Sequence, residues 1–163
     1  MSELSRSTPL HAQTLSPTPG PAPGQLLARG TARHLLAHDI MTLEEFVPVC
    51  GSRVDLIGLT KSGEIWVIEC KSCRADYMAD SKWQGYLEWC DRFFWAVDAD
   101  FPVDLLPDGT GLILCDSYDA EIVRMFPSSP LPAARRRKLT QMFARQAAQR
   151  LLMLRDPALR VAG

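Results

Sequence analysis

The sequence predicts a mixed α/β domain, a β-sheet flanked by α-helices, and three observations carry that expectation. Residues 53–59 (RVDLIGL) and 65–71 (IWVIECK) are β-rich runs joined by a five-residue link containing Gly63, the mark of a hairpin. Further short β-rich runs follow at 92–97, 111–115 and 121–126. Helical apolar spacing appears before, between and after these runs.

Taken in order, residues 1–24 are rich in Pro, Ser and Thr with little to bury, and read as a disordered tail. Leu26, Leu27, Leu35 and Leu36 suit a helix over 25–38, which Gly30 weakens. A strand fits 43–50, followed by the hairpin. Residues 79–90 read as a helix, with Trp83, Tyr86, Leu87 and Cys90 at i, i+3, i+4 and i+7. After the strand 92–97, Pro102 and Pro107 place a loop over 98–108, and 111–115 with 121–126 read as a second hairpin. A last helix over 132–154 presents Leu139, Phe143, Ala147, Leu151 and Leu154 as its buried stripe. The expected organisation is one domain over 25–155, with tails at 1–24 and 156–163.

Composition narrows the class. The 163 residues are 47% hydrophobic and 23% charged, ordinary for a globular protein. No apolar run approaches the roughly 18 residues of a membrane helix. The N-terminus lacks the basic start and apolar core of a secretory signal, so a cytoplasmic address is expected. Five cysteines do not form a disulfide framework, and the CxxC of Cys70 and Cys73 has no second pair to build a tetrahedral zinc site. The net charge of −1 conceals segregation: residues 39–126 hold 17 acids and 7 bases, whereas 133–163 hold 1 acid and 8 bases. Such asymmetry serves an anionic partner, a metal site, or docking of one part of the chain on another.

The chemistry concentrates on the hairpin. Side chains alternate faces along a strand, so Ile65, Val67, Glu69 and Lys71 share one face. If Leu59 pairs with Ile65, Ile57 meets Val67 and Asp55 meets Glu69. Two carboxylates about 5 Å apart repel by roughly 3 kcal/mol at an effective dielectric near 20. A proton, a cation or a nearby ammonium must offset this. Lys71 supplies the ammonium, and a hard divalent cation, Mg²⁺ or Mn²⁺, held by Asp55 and Glu69, would supply the rest. The backbone carbonyl of Cys70 is a third candidate ligand, and Glu45 (or Glu44) from the preceding strand a fourth. This set suits phosphodiester hydrolysis, with Lys71 orienting water or stabilising charge on the phosphate. An ordinary salt-bridged strand pair at a domain edge would carry the same residues.

The pattern Asp55, Glu69-x-Lys71 is similar to that of the PD-(D/E)xK nuclease superfamily, with Val54 where that pattern has proline. The resemblance implies a restriction-endonuclease-like mixed sheet flanked by helices. Within the superfamily the chain resembles the MmcB-like DNA-repair family. The residues concerned are RVDLIGL, GEIWVIECKS, Asp76, Asp80-Ser81-Lys82-Trp83, Tyr86, CDRFFWAV, GLILCD, AEIVR and FARQAAQRL, over about residues 26–154. Cys70 and Cys73 depart from the aliphatic residue and the serine common there. The resemblance implies DNA as partner, a role in repair, and metal-dependent DNA cleavage with Asp55, Glu69 and Lys71 as catalytic residues. A non-catalytic DNA-binding or scaffold module of a repair complex is the alternative, and an assembly factor without DNA affinity a third.

Other residues carry two readings each. Lys82 and Gln84, just after the hairpin, are candidate substrate contacts; Trp83, Tyr86 and Leu87 read as core. Asp76 and Asp80 read as helix-start residues favoured by the N-terminal dipole. The run Arg135-Arg136-Arg137-Lys138 opens a helix where cations are disfavoured, so an anion should offset it. DNA phosphate is one candidate, with Arg135 and Arg136 as contacts, and the acidic body of the same chain is the other.

Overall fold

A computed structural model describes residues 20–48, 51–125 and 127–159. Six strands form one mixed sheet in chain order: β1 (Met41–Phe46), β2 (Val54–Leu59), β3 (Ile65–Lys71), β4 (Arg92–Val97), β5 (Gly111–Cys115) and β6 (Ala120–Arg124). The pairs β1/β2, β2/β3 and β5/β6 are antiparallel, while β3/β4 and β4/β5 are parallel. The central strands β3 and β4 are covered on both faces, which explains their near-continuous apolar sequences.

Helix α1 (Pro23–Ala37) lies on one face, over a core of Leu35, Leu56, Ile68, Phe94 and Ile113. It starts two residues earlier than the apolar spacing indicates, because Pro23 suits the first turn. Gly30 permits its approach to the sheet: a Cβ there would stand 2.1 Å from the carbonyl oxygen of Asp116. The opposite face carries a larger core of Ile57, Ile65, Val67, Phe93, Trp95 and Val97, closed by Leu139 and Phe143 of α3 (Ala133–Arg155).

The segment expected as one helix over 79–90 is instead two pieces. Helix α2 (Arg74–Ala79) stops at Asp80, whose backbone is extended and whose Oδ1 accepts from Lys82 N–H at 2.9 Å. Residues Trp83–Trp89 then form a 3₁₀ turn. Its three-residue repeat places Trp83, Tyr86 and Trp89 toward the body and leaves Leu87 exposed, correcting its assignment to the core. The expected stripe on α3 is also shorter than read. Leu139 and Phe143 are buried, but Leu151 and Leu154 are 57% and 81% exposed because the helix outruns the sheet. The first strand ends at Phe46 rather than residue 50. The expected tail over 1–24 falls outside the described residues as far as residue 19.

A candidate active site where two strands part

The hairpin register follows the sequence expectation: Leu59 pairs with Ile65 and Ile57 with Val67, continuing to Leu56 with Ile68. Beyond that point side chains replace the ladder. Asp55 N–H donates to Glu69 Oε1 at 3.2 Å, and Cys70 N–H donates to Asp55 Oδ2 at 2.8 Å. The strands part there, and the two carboxylates sit in the fork. On the far side of β2, Glu45 adopts a left-handed backbone (φ 50°) between the paired residues Glu44–Leu56 and Phe46–Val54. Such a conformation costs about 1–3 kcal/mol in a non-glycine residue. Arg150 of α3 steadies it by donating to the Glu44 carbonyl at 2.6 Å, and Arg53 pairs with the Glu45 carboxylate at 3.4 Å.

Lys71 continues the same face of β3. Its Nζ lies 2.7 Å from Asp80 Oδ2 and 3.5 Å from Glu69 Oε2, and 5.9 Å from the centre of the Trp95 ring. The side chains of Glu69, Lys71 and Asp80 are 5%, 8% and 12% exposed, so these charges interact with little screening by water. Burial, then the Asp55 charge, push Glu69 up to about 8. Burial also raises Asp55 above the usual carboxylate range, against the Cys70 N–H and the Lys71 charge. For Lys71 burial acts downward, but the Asp80 hydrogen bond and the Glu69 charge outweigh it and hold the ammonium above its ordinary value. Burial opposes ionisation of Asp80 as well, yet hydrogen bonds from Lys71 and Lys82 N–H pull it below the usual range. Lys71 therefore gives its ion pair to Asp80, and Glu69 shares the fork with Asp55.

Two cavities open on this cluster. One of about 250 Å³ is bordered by Glu44, Glu45, Arg53, Asp55, Cys70 and Lys71, with Asp76 and the start of α1. Another of about 270 Å³ reaches Glu69 and Lys71 from the side of Asp80, Ser81 and Lys82. The structure thus brings together Asp55, Glu69, Lys71 and Cys70, with Glu45 and Lys82 at the cavity walls. Gln84 is exposed on the 3₁₀ turn and lines neither cavity. Arg135 and Arg136 stand at the other end of β3. Arg136 clasps the buried Asp91 with both nitrogens, at 2.7 and 2.6 Å, and Arg135 lies over the Trp89 ring and donates to the Glu88 carbonyl. Asp91 N–H bonds the Ile65 carbonyl, four residues and about 13 Å along β3 from Glu69. The anion that offsets Arg136 is thus the protein's own.

Asp80 and Arg53 are the residues that sequence reasoning missed. The available signal for Asp80 was electrostatic: a lysine on a buried strand needs a full counter-charge, and Glu69 is already engaged by Asp55.

The donor set fits a hard divalent cation. Among the described residues no three His, Cys, Asp or Glu side chains form a metal-binding cluster. Two carboxylates remain, Asp55 and Glu69, and magnesium-type sites commonly use one or two carboxylates with water. Burial is the main cause that raises both groups, with the Asp55 charge adding to it at Glu69, and a cation would offset a buried carboxylate charge as a proton does.

A family model described as MmcB-like, DNA repair protein MmcB-like, matches residues 19–158. The chain belongs to the MmcB-like DNA repair family. A solved structure, the SPO1766 protein of unknown function from Silicibacter pomeroyi, is similar at 63% identity and a TM-score of 0.83. The match covers 86% of this chain and 96% of that one. Comparison with curated proteins gives no match. The cysteines Cys70, Cys73, Cys90 and Cys115 of this MmcB-like chain are free thiols, and no described helix is long and apolar enough to cross a membrane.

Proposed function

We propose that this MmcB-like protein hydrolyses phosphodiester bonds of DNA in a repair pathway, with Mg²⁺ or Mn²⁺ as cofactor. One observation carries the reading: two carboxylates, half-buried Asp55 and buried Glu69, share the fork between β2 and β3, with the Lys71 ammonium 3.5 Å from Glu69. Like charges are placed together only at a cost, and a cation site is the use that recovers it. Asp55, Glu69 and the Cys70 carbonyl would hold the ion, with Glu45 at the wall of the same cavity. When bound it supplies Lewis acidity toward a phosphoryl oxygen. Lys71 orients the attacking water and donates to charge developing on the phosphate. Asp80 keeps Lys71 protonated and aimed, and Arg53 and Lys82 border the approach to the phosphate.

A second reading rests on the same lysine. Nζ is paired with Asp80 at 2.7 Å, and a lysine whose charge is so neutralised ties β3 to the end of α2 rather than meeting a phosphate. The protein then acts as a DNA-binding or scaffold module. Titration of Mg²⁺ and Mn²⁺ with single-stranded, duplex and branched DNA separates the two. Metal-dependent cutting abolished in Asp55→Ala and Lys71→Ala establishes hydrolysis, whereas binding without cutting supports the scaffold. Equal cutting by wild type and both variants rejects the assignment of the site.

A further inference from the structure

Helix α3 holds seven cations and no acid over its 23 residues. Three of the seven serve the fold. Arg136 clasps Asp91, Arg150 donates to the Glu44 carbonyl, and Arg135 packs on Trp89. Arg137, Lys138, Arg145 and Arg155 are exposed, and none has an acidic partner among the described residues. At about 100° per residue these four fall within an arc of about 100°. Leu139, Phe143, Arg136 and Arg150 centre on the opposite side of the same helix. The anchors at Arg136 and Arg150, near its two ends, therefore fix its rotation and turn the four free cations to solvent.

The array spans 19 residues, about 27 Å, the axial length of about eight base pairs. Arg137 and Lys138 are adjacent in the second turn, and the helix holds no acid to offset them. Repulsion along one helix face adds to that. A linear polyanion relieves both, and in a member of a DNA repair family the phosphate backbone is the polyanion at hand; Ala148 and the exposed Leu152 lie between the cations on this face. Arg150 also ties the far end of α3 to Glu44, on the wall of the candidate active site, so one end of the array lies at the end of the sheet that holds Asp55.

We infer that the solvent face of α3 is a contact surface for the backbone of duplex DNA, with Arg137, Lys138, Arg145 and Arg155 as its phosphate contacts. This rests on the protein's acting on DNA, and is independent of whether it cuts it. The test is a fluorescence-anisotropy titration of labelled duplex across a salt series, in chelator so that hydrolysis plays no part. Each phosphate contact contributes about 0.9 to the slope of log K against log salt. The fourfold variant Arg137→Ala/Lys138→Ala/Arg145→Ala/Arg155→Ala is expected to flatten the slope by 3 to 4, about 0.9 for each contact removed. Lys61→Ala, removing an exposed charge elsewhere, should leave the slope as it is. Lys138→Arg/Arg145→Lys, which conserves charge, should also leave it unchanged. An unchanged slope in the fourfold variant, with its circular dichroism intact, overturns the inference. So does a wild type that ignores duplex but binds polyglutamate through the same four residues, which would mark an acidic protein partner. Loss of cutting in wild type with the slope intact would reject the hydrolytic reading and leave this one standing.

Discussion

Replacing Glu69 by glutamine should make the metal-free protein more stable in alkali, and by an amount the structure sets. Burial and the Asp55 charge raise Glu69 from 4.5 to about 8. At 1.36 kcal/mol per unit, that rise corresponds to about 5 kcal/mol. Because the folded value lies above the unfolded one, the native state holds more protons between them, and stability falls as pH rises through that window. The contribution is complete below about pH 4.5 and spent above about pH 8. Asp55, also raised by burial, adds with the same sign. Glutamine keeps an oxygen to accept the Asp55 N–H but cannot ionise. Urea unfolding in chelator, from about pH 5 to pH 9, should show wild-type stability declining by several kcal/mol, a large part of the roughly 5–15 kcal/mol total of a domain. The Glu69→Gln curve should be much flatter and lie above wild type at the alkaline end. Parallel curves would refute the claim that burial of this carboxylate is what the fork stores.

Other perturbations test the parts around it. Arg136→Ala leaves the buried Asp91 carboxylate without its ion-pair partner and should cost about 3 kcal/mol by urea unfolding, at the low end of the range for a buried pair because Arg136 is 29% exposed. Gly30→Ala should lower Tm by several degrees, since its Cβ would meet the Asp116 carbonyl at 2.1 Å and overpacking costs about 1–3 kcal/mol. Gly24→Ala in the same helix meets nothing within 4 Å and should raise Tm, with up to about 1 kcal/mol of helix propensity gained. Asp80→Ala should depress metal-dependent cleavage while Mg²⁺ affinity, measured by calorimetry, changes little, and Asp80→Glu should restore part of the rate. In the native protein a thiol reagent followed by peptide mass mapping should modify exposed Cys73 and spare Cys70, whose thiol burial pushes up.

The hairpin was legible because two independent constraints coincide in it. Period-two burial fixes the face, and the short link fixes the register, so Leu59–Ile65 and Ile57–Val67 follow from sequence alone. The split at Asp80 was not legible. Trp83 and Tyr86 satisfy both a 3.6-residue and a 3.0-residue period, and only Leu87 and Trp89 distinguish them, by exposure that a single sequence does not display. The stripe on α3 failed for another reason. Periodicity reports which face of a helix is apolar but not where the sheet beneath it ends, and the body stops before Leu151 and Leu154. The charge run 135–138 was visible, but its division between fold and solvent depended on Asp91, a residue distant in sequence and fully enclosed.

Asp91 also supplies the contrast that sets the fork apart. Its carboxylate is buried as deeply as Glu69, yet it accepts Ile65 N–H at 2.7 Å, Leu131 N–H at 2.8 Å and both Arg136 nitrogens. Every strong acceptor direction is filled, and the group locks β3 to α3. At the other end of the same strand, Asp55 and Glu69 receive one backbone N–H each, and the nearest ammonium is given first to Asp80. A chain able to saturate one buried carboxylate at one end of β3 leaves two under-supplied at the other, beside a left-handed glutamate and two cavities. Stability alone gives no reason for that difference. A requirement that the second pair keep lone pairs free for something outside the chain does.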